Sequence, residues 1–402
     1  MSGVMGRETQ ADAPDWDPRG PEVLDDQIAA YDALRRRCPV ARGDDLHWSL
    51  LRHEDVMRAL LDHEAFSSAA FTHLTVPNGM DPPEHAAFRR IIEPYFAPEV
   101  MAAFEPACRD IAEAVAARLP PHGEMDVIPA VAEDFALRAQ CAFMGWPDGL
   151  HEPLRAWTRR NAEATLARDR TQLAEVALEF DGHIRALLQE RREARQRAPR
   201  DVTTRLMQER VDGRALTDAE IVSIIRNWTV GEVGTIAASV GIILHYLAER
   251  PALQDGLRTA PADLPAAIDE ILRIHAPLIA NRRVTRRSVV VGGRSIPAGQ
   301  RVTLIWASAN RDEAAFGDPD AFDPGRNQTR NLLYGAGIHV CPGASLARLE
   351  LRLIIEALLR RTGRIALPPG RPPQRAVYPG SGFARLPLRM EAGAGGTVTT
   401  AR

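Results

Sequence analysis

A single segment in the middle of the chain constrains the fold most. Residues 217–250 read TDAEIVSIIRNWTVGEVGTIAASVGIILHYLAER, and Thr217 with Glu220 three positions later forms a capping box that predicts the start of a helix. The central part of this segment is apolar nearly all round. A helix of that kind has to run through a core rather than lie on a surface. The chain is therefore expected to fold around one long buried helix.

The rest of the chain divides into a helical part and a short strand-forming part. Helical periodicity dominates from about Pro98 to Arg250. After Pro277, the stretch RRVTRRSVVVGGRSIPAGQRVTLIW has short β-branched runs separated by Gly-Gly and Pro-Ala-Gly, which predicts hairpins. The expected fold class is mainly α with small β-sheets. Composition predicts that residues 1–20 and 392–402 are disordered.

Composition excludes several classes of function. The formal net charge is -3, which gives no support for nucleic acid as a partner. All 50 basic residues are arginine, so a lysine Schiff base, a pyridoxal phosphate anchor and a Walker-type phosphate loop are excluded. The four cysteines have no short spacing, which disfavours a disulfide scaffold or a zinc ribbon. With no signal peptide and no uninterrupted apolar run of about 18 residues, we expect a soluble cytoplasmic protein without membrane contact.

One cysteine lies in a glycine-rich turn ahead of an apolar helix. The stretch NLLYGAGIHVCPGASLARLE places Gly335, Gly337 and Gly343 around Cys341. Glycine allows the backbone to approach a flat group closely, and Pro342 suits a first helical position. The N–H groups at a helix start favour a thiolate over a thiol, and a thiolate is a soft ligand for iron. The pattern indicates a metal-ligating thiolate.

This stretch resembles the haem-binding signature of the cytochrome P450 family, Phe-x-x-Gly-x-His/Arg-x-Cys-x-Gly. The match is carried by Tyr334, Gly337, His339, Cys341 and Gly343, with tyrosine in place of the usual phenylalanine. The resemblance implies a single large domain with the P450 fold over residues 21–391. It also implies haem b with the Cys341 thiolate as axial ligand.

Further motifs follow in the family's order. DEILR resembles the Glu-x-x-Arg motif with Glu270 and Arg273, and Arg326 in FGDPDAFDPGR resembles its third partner, so the three are expected to form a structural lock. The resemblance also implies four residues that contact the haem propionates through imidazole or guanidinium groups. They are His85 and Arg89 in DPPEHAAFRR, Arg283 nine residues before Gly292, and His339.

The central helix departs from the family at one position. The family usually carries Ala/Gly-Gly-x-Asp/Glu-Thr, whereas this chain has GEVGT, so Thr235 is in place but Gly234 replaces the acid. The resemblance implies that the threonine hydroxyl and an acid supply the protons that cleave the O–O bond. Our hypothesis is that Glu232, or water held at Gly234, replaces the missing acid. Glu232 could equally be a structural hydrogen-bonding group.

The resemblance also places the substrate pocket. It implies that residues 67–80, the helix around Trp228 and the stretch 276–281 line it, and that residues 159–180 belong to a mobile pair of lid helices. The expected pocket is mainly apolar with a few polar groups, which fits a small apolar molecule. The expected lining residues are Phe71, Leu74, Thr75, Trp228, Val230, Leu278, Ile279 and Asn281.

The resemblance implies a monooxygenase that uses O2 to hydroxylate or epoxidise its substrate. Electrons from NAD(P)H are expected to arrive through a separate ferredoxin and ferredoxin reductase, because the chain has no dinucleotide fingerprint of its own. Arg90, Arg348 and Arg352 are candidates for docking an acidic ferredoxin, and the protein is expected to be a monomer. Two alternatives stay open: oxidative coupling, desaturation or peroxide-driven oxidation at the same haem, and a haem-binding protein without catalysis.

Overall fold

The computed structural model describes residues 14–44, 47–120, 122–325 and 328–392. It is mainly helical with small sheets, as the sequence predicts. The α-helices are α1 (Pro21–Asp25), α2 (Gln27–Arg37), α3 (His53–Leu61), α4 (Glu84–Ile92), α5 (Pro98–Ala117), α6 (Glu133–Met144), α7 (His151–Ala167), α8 (Arg170–Ala194), α9 (Val202–Leu206), α10 (Asp218–Ala248), α11 (Pro251–Thr259), α12 (Leu264–His275), α13 (Trp306–Ala309), α14 (Glu313–Phe316) and α15 (Ala344–Arg361).

The strands form one five-stranded sheet, one three-stranded sheet and three hairpins within the described residues. The larger sheet has the order β1-β2-β10-β7-β3, and the three-stranded sheet has the order β11-β14-β4. The strands are β1 (Val40–Gly43), β2 (His47–Leu50), β3 (Phe66–Ser67), β4 (His122–Asp126), β5 (Arg210–Val211), β6 (Arg214–Ala215), β7 (Ala280–Thr285), β8 (Val289–Val291), β9 (Arg294–Ile296), β10 (Arg301–Ile305), β11 (Thr362–Ala366), β12 (Gln374–Arg375), β13 (Phe383–Arg385) and β14 (Pro387–Ala392).

Helix α10 is the predicted central helix. Thr217 is its N-cap and exchanges hydrogen bonds with Glu220, so the predicted capping box is confirmed. A cap of this kind stabilises a helix by about 1 kcal/mol. The helix packs against α6, α8, α12 and α15 and belongs to the largest apolar core. Among the described residues α10 is the one helix long and apolar enough to cross a membrane, and most of its apolar window is buried inside the protein.

The hairpins after Pro277 are also confirmed. Strand β8 pairs with β9 across Gly292 and Gly293, and β7 pairs antiparallel with β10. Arg283 on β7 is buried, whereas Arg282 is exposed and Arg286 binds Asp81 at the surface. This alternation follows from the two-residue period of a strand.

The described residues before position 21 pack against the rest of the protein. Residues 14–20 fall in the segment predicted to be disordered, yet Trp16 is buried against Tyr31, and Asp15 accepts a hydrogen bond from the Arg42 N–H at 2.6 Å. Residues 1–13 and 393–402 lie outside the described residues.

Candidate functional site

The cysteine loop is shaped by two glycines with positive φ. Gly335 has φ 73° and Gly337 has φ 69°, in the left-handed region that side chains rarely adopt. A Cβ at Gly337 would lie 2.5 Å from the Leu60 carbonyl oxygen, so the loop can press against the end of α3 only with glycine there. The Cys341 N–H donates to the Tyr334 carbonyl at 2.8 Å and closes the loop. Pro342 precedes the N-cap Gly343 and is not the first helical residue.

The Cys341 sulfur is open to a large internal cavity of about 510 Å³. Burial raises the pKa of the Cys341 thiol, whereas a hydrogen bond from the Gly343 N–H and the positive charges of Arg89 and Arg348 act in the opposite direction. The start of α15 therefore favours the thiolate as predicted, but it does not outweigh burial by itself. Coordination to a metal ion deprotonates a thiol outright.

Helix α10 forms another wall of the same cavity. Gly231, Glu232 and Thr235 line it together with Cys341. The Thr235 hydroxyl donates to the Gly231 carbonyl at 2.6 Å and lies 3.3 Å from the Glu232 carbonyl. A Cβ at Gly234 would meet no atom within 4 Å, so the position where the family carries an acid borders open space. The Glu232 carboxylate faces α6 and α15, and the structure has no hydrogen bond between the side chains of Glu232 and Thr235.

Arg283 is a buried cation without a carboxylate partner among the described residues. It is 4% exposed, lines the cavity and donates to the carbonyl of Arg282. Desolvation lowers its pKa to about 10, because burial disfavours the charged form. A buried guanidinium group in this setting needs an anion from outside the chain.

The two histidines lie side by side at this end of the cavity. The rings of His85 and His339 are 4.1 Å apart, and burial is the main cause that lowers their pKa values, to about 4 and about 3. His339 Nε2 lies 3.0 Å from the Met80 carbonyl oxygen, whereas the buried His85 Nε2 has no hydrogen-bond partner among the described residues. Both rings are therefore neutral near pH 7.

Arg89 holds the cysteine loop. Its guanidinium group donates to the Val340 carbonyl at 3.0 Å and pairs with Glu93 at 3.0 Å. Arg89 therefore already has two partners within the chain, and these compete with the expected hydrogen bond to a haem propionate.

The predicted ion pair between Glu270 and Arg273 is present. Arg273 donates to both carboxylate oxygens of Glu270, at 2.8 and 2.9 Å, and also to the carbonyls of Asn310 and Pro319. The expected third partner, Arg326, lies outside the described residues.

Six of the eight expected pocket residues line the cavity: Phe71, Thr75, Trp228, Val230, Leu278 and Asn281. The other two were wrong. Ile279 is 2% exposed and packs in a separate apolar core, because it points to the opposite side of the chain from Leu278. Leu74 is at the surface, where its carbonyl accepts hydrogen bonds from Ser223 and Arg226.

Arg226 and Trp306 are among the polar members of the cavity wall that sequence reasoning missed. Arg226 pairs with Asp181 of α8 at 2.8 Å and donates to the Leu74 carbonyl, so it joins α8, just after the predicted lid segment 159–180, to the 67–80 loop. Trp306 follows β10 and has a buried indole N–H with no partner among the described residues. The available signal in the sequence was a tryptophan directly after the β-branched and apolar strand RVTLI.

Comparison with known proteins agrees with this geometry. The family model "Cytochrome P450" matches residues 158–260 and 264–391. The chain is 33% identical over 335 residues to the cyclomarin C epoxidase CymV of Salinispora arenicola, covering 79% of this chain and 84% of the relative. It is 32% identical to the erythromycin C-12 hydroxylase of Saccharopolyspora erythraea, covering 85% and 89%.

Solved structures give the same result for the fold. The open form of cytochrome P450 EryK from S. erythraea superposes with a TM-score of 0.84 at 28% identity, covering 93% of this chain and 98% of that chain. The structure of a P450 from Chondromyces apiculatus gives a TM-score of 0.83 at 28% identity, covering 94% and 98%. The chain therefore belongs to the cytochrome P450 family and is one of its monooxygenases.

Proposed function

We propose that this enzyme holds haem b in the large cavity, where the Cys341 thiolate would bind its iron, and inserts one oxygen atom of O2 into an apolar small molecule by hydroxylation or epoxidation. The observation that carries the proposal is the cavity itself, which has the Cys341 sulfur on one wall and the Thr235 hydroxyl of α10 on another. The bound haem would supply a thiolate-ligated iron that favours O–O cleavage over reversible binding of oxygen.

The cavity has buried polar groups suited to bind the propionate groups of haem. Arg283 is a buried cation without a carboxylate partner in the described part of the chain, and the His85 Nε2 and the Trp306 Nε1 have no partner there either. Propionate groups would satisfy all three. His339 and Arg89 are the further candidates, and Tyr334 and Gly343 would lie against the porphyrin.

Thr235 and Glu232 would deliver protons to the substrate side of the cavity. The Thr235 hydroxyl is held by the Gly231 carbonyl and so has a fixed orientation in the groove of α10. Glu232 borders the cavity and is the acidic side chain of α10 there. A Cβ at Gly234 would meet no atom within 4 Å, so this position leaves room for water next to Thr235. We propose Glu232 as the proton source and Thr235 as the group that receives and orients the proton.

The cavity favours an apolar substrate with a few hydrogen-bonding groups. Phe71, Val230 and Leu278 present apolar surface, and Thr75 and Asn281 supply polar contacts. The named relatives act on erythromycin and cyclomarin, which are natural products. We propose natural-product metabolism for this enzyme as well.

Electrons would come from NAD(P)H through a ferredoxin and its reductase in the cytoplasm. On the surface near the cysteine loop, Arg348 pairs with Asp269 at 2.9 Å and Arg352 with Glu105 at 3.0 Å. Arg90 is 71% exposed and its contact with Asp212 is long, at 3.7 Å. Arg90 is therefore the strongest of the three candidates for contact with an acidic partner.

The test begins with the reduced, carbon-monoxide-bound protein, whose absorption spectrum reports thiolate ligation. Ligands are then screened by the shift of the haem Soret band, and products of the hits are analysed with O2, NADPH and surrogate redox proteins. We expect a thiolate-type spectrum and oxygenated products. Turnover with peroxide alone would instead support the peroxide-driven alternative, and a thiolate spectrum without any turnover would support haem binding without catalysis.

A further inference from the structure

A second acid lies behind Glu232. Glu350 is on α15, is 0% exposed, and neither of its carboxyl oxygens accepts a hydrogen bond from an N–H or O–H group in the described part of the chain. Its carboxyl group is in hydrogen-bonding contact with the carboxyl group of Glu232. Two carboxylates in contact cannot both stay ionised at a buried site, so the contact requires a proton between them.

Gln140 on α6 identifies the partner that carries the negative charge. When the amide is oriented with its nitrogen towards Glu232, which satisfies both ends of the group, Gln140 donates to Glu232 Oε2 at 2.5 Å and to Oε1 at 3.1 Å, and its amide oxygen accepts from Thr229 at 3.1 Å. Glu232 therefore has a donor on the α6 side. Glu350 has none, so the arrangement that satisfies every group is a neutral Glu350 donating to an ionised Glu232.

No cation among the described residues compensates the negative charge of the Glu350–Glu232 pair. Within the described ranges, the titratable side chains that interact with the pair from neighbouring elements are the thiols of Cys108 on α5, Cys141 on α6 and Cys341 across the cavity, together with the Tyr334 hydroxyl, whose pKa is also raised by burial. Burial raises the pKa of each of these thiols, so all are neutral near pH 7 unless a metal binds. Burial is also the main cause that raises the pKa of both acids.

The two acids differ in their access to the cavity. Glu232 lines the cavity, whereas Glu350 is wholly enclosed and can exchange a proton with the cavity only through Glu232. We propose that Glu350 and Glu232 share one proton, held on Glu350 at rest, and that Glu350 is the positioning residue that passes this proton to Glu232 for delivery to the cavity. This rests on the proposed function. Only a proton moves, from the Glu350 hydroxyl to the Glu232 carboxylate and from Glu232 to the cavity, and water in the cavity returns a proton to Glu350 through Glu232.

The shared proton is tested in the ferric holoenzyme by infrared spectroscopy. A buried carboxylic acid gives a C=O stretching band that shifts when H2O is replaced by D2O. We expect the band in the wild type near pH 7, its loss in Glu350→Gln, whose amide still donates to Glu232, and its retention in Glu356→Gln, a matched control on the same helix. A wild type without the band, or a Glu350→Gln variant that keeps it, overturns the shared proton.

A stability measurement checks the same pair without turnover. The folded pKa of each acid lies above the ordinary value of 4.5, so the folded protein binds more protons than the unfolded chain above that pH. The free energy of unfolding should fall as pH rises from 4.5 through the raised pKa, and this slope should be smaller in Glu350→Gln. An identical slope in the two proteins contradicts the proposal.

The role in proton delivery has its own readout. Glu350→Gln should increase the peroxide released per NADPH consumed, enlarge the solvent isotope effect and slow product formation by on the order of 10-fold to 100-fold. Glu350→Asp should recover part of the loss, and Glu356→Gln should match the wild type. Unchanged coupling in Glu350→Gln overturns the relay even if the infrared band is present. Absence of product from the wild type contradicts the proposed function instead, and leaves the infrared result standing.

Discussion

Arg273 and Glu270 form a buried bidentate ion pair, with side chains 1% and 4% exposed. The pair joins α12 to the segment after α13, because Arg273 also donates to the carbonyls of Asn310 and Pro319. The Asp323 N–H donates to the same Glu270 carboxylate at 3.2 Å. The ion pair therefore fixes the chain that leads into the cysteine loop.

Removing one partner of this pair should destabilise the protein strongly. Glu270→Ala leaves the Arg273 guanidinium buried without its carboxylate, which costs about 3–5 kcal/mol. Denaturant unfolding followed by circular dichroism measures this loss. Arg371→Ala is the control, since it breaks a surface pair with Glu124 and should cost less than about 1 kcal/mol. Equal effects of the two substitutions would show that the buried pair has no special role.

Cys341→Ser should abolish the thiolate spectrum. Serine keeps the size of the side chain but replaces the soft sulfur ligand, so the carbon-monoxide complex should lose its thiolate-type absorption. Cys38→Ser is the control, because Cys38 contacts Arg294 and Val40 away from the cavity. If Cys341→Ser keeps the wild-type spectrum, another residue ligates the iron.

Arg283→Leu should weaken haem binding without destabilising the haem-free protein. The substitution removes a charge-assisted hydrogen bond to a propionate, worth about 1.5–3 kcal/mol, but it also removes a buried cation that has no carboxylate partner in the described part of the chain. The rate of haem transfer to apomyoglobin measures the first effect, and thermal unfolding of the haem-free protein measures the second. Arg282→Leu, at the exposed neighbouring position of β7, is the matched control. An unchanged transfer rate would remove Arg283 from the haem site.

Gly234→Asp should restore an acid next to Thr235. The new side chain has room, since a Cβ there meets no atom within 4 Å. In a Glu232→Gln background, Gly234→Asp should lower peroxide release, whereas the uncharged control Gly234→Asn should not. If Glu232→Gln alone leaves both product formation and peroxide release unchanged, Glu232 is a structural group.

Glu220 should make the stability of α10 depend on acid pH. A hydrogen bond from Arg214 is the largest cause that lowers the pKa of Glu220 to about 2. Because the folded pKa is below the ordinary 4.5, the stabilisation is present above 4.5 and is lost as pH falls towards 2. The difference in unfolding free energy between wild type and Glu220→Gln should shrink over that range. A constant difference would show that ionisation of Glu220 does not matter.

The sequence predicted the parts of the structure that depend on local pattern. The capping box at Thr217, the apolar length of α10 and the glycine spacing around Cys341 each specify backbone geometry within a short segment. The positions of Leu74 and Ile279 could not be predicted in this way. Which side chain of a loop or a short strand faces the cavity depends on register against other elements.

Glu350 shows a signal that was present but unused. It is four residues after Leu346 and three before Leu353, so it lies on the apolar stripe that buries α15. An acid on such a stripe needs a buried partner. The partner could not be identified from the sequence, because Glu232 is more than a hundred residues away along the chain and meets Glu350 only through the packing of α10 on α15.

The dual position of α10, with one side in the core and the other at the cavity, sets a limit on engineering this enzyme. Filling the groove at Gly231 or Gly234 with alanine would raise helix propensity and thermal tolerance, because glycine costs about 0.5–1 kcal/mol in a helix. At Gly231, which lines the cavity one turn before Thr235, the added methyl group would take up space that water and oxygen need near the Thr235 hydroxyl. Heat-resistant variants selected at this position should therefore be slower oxidants.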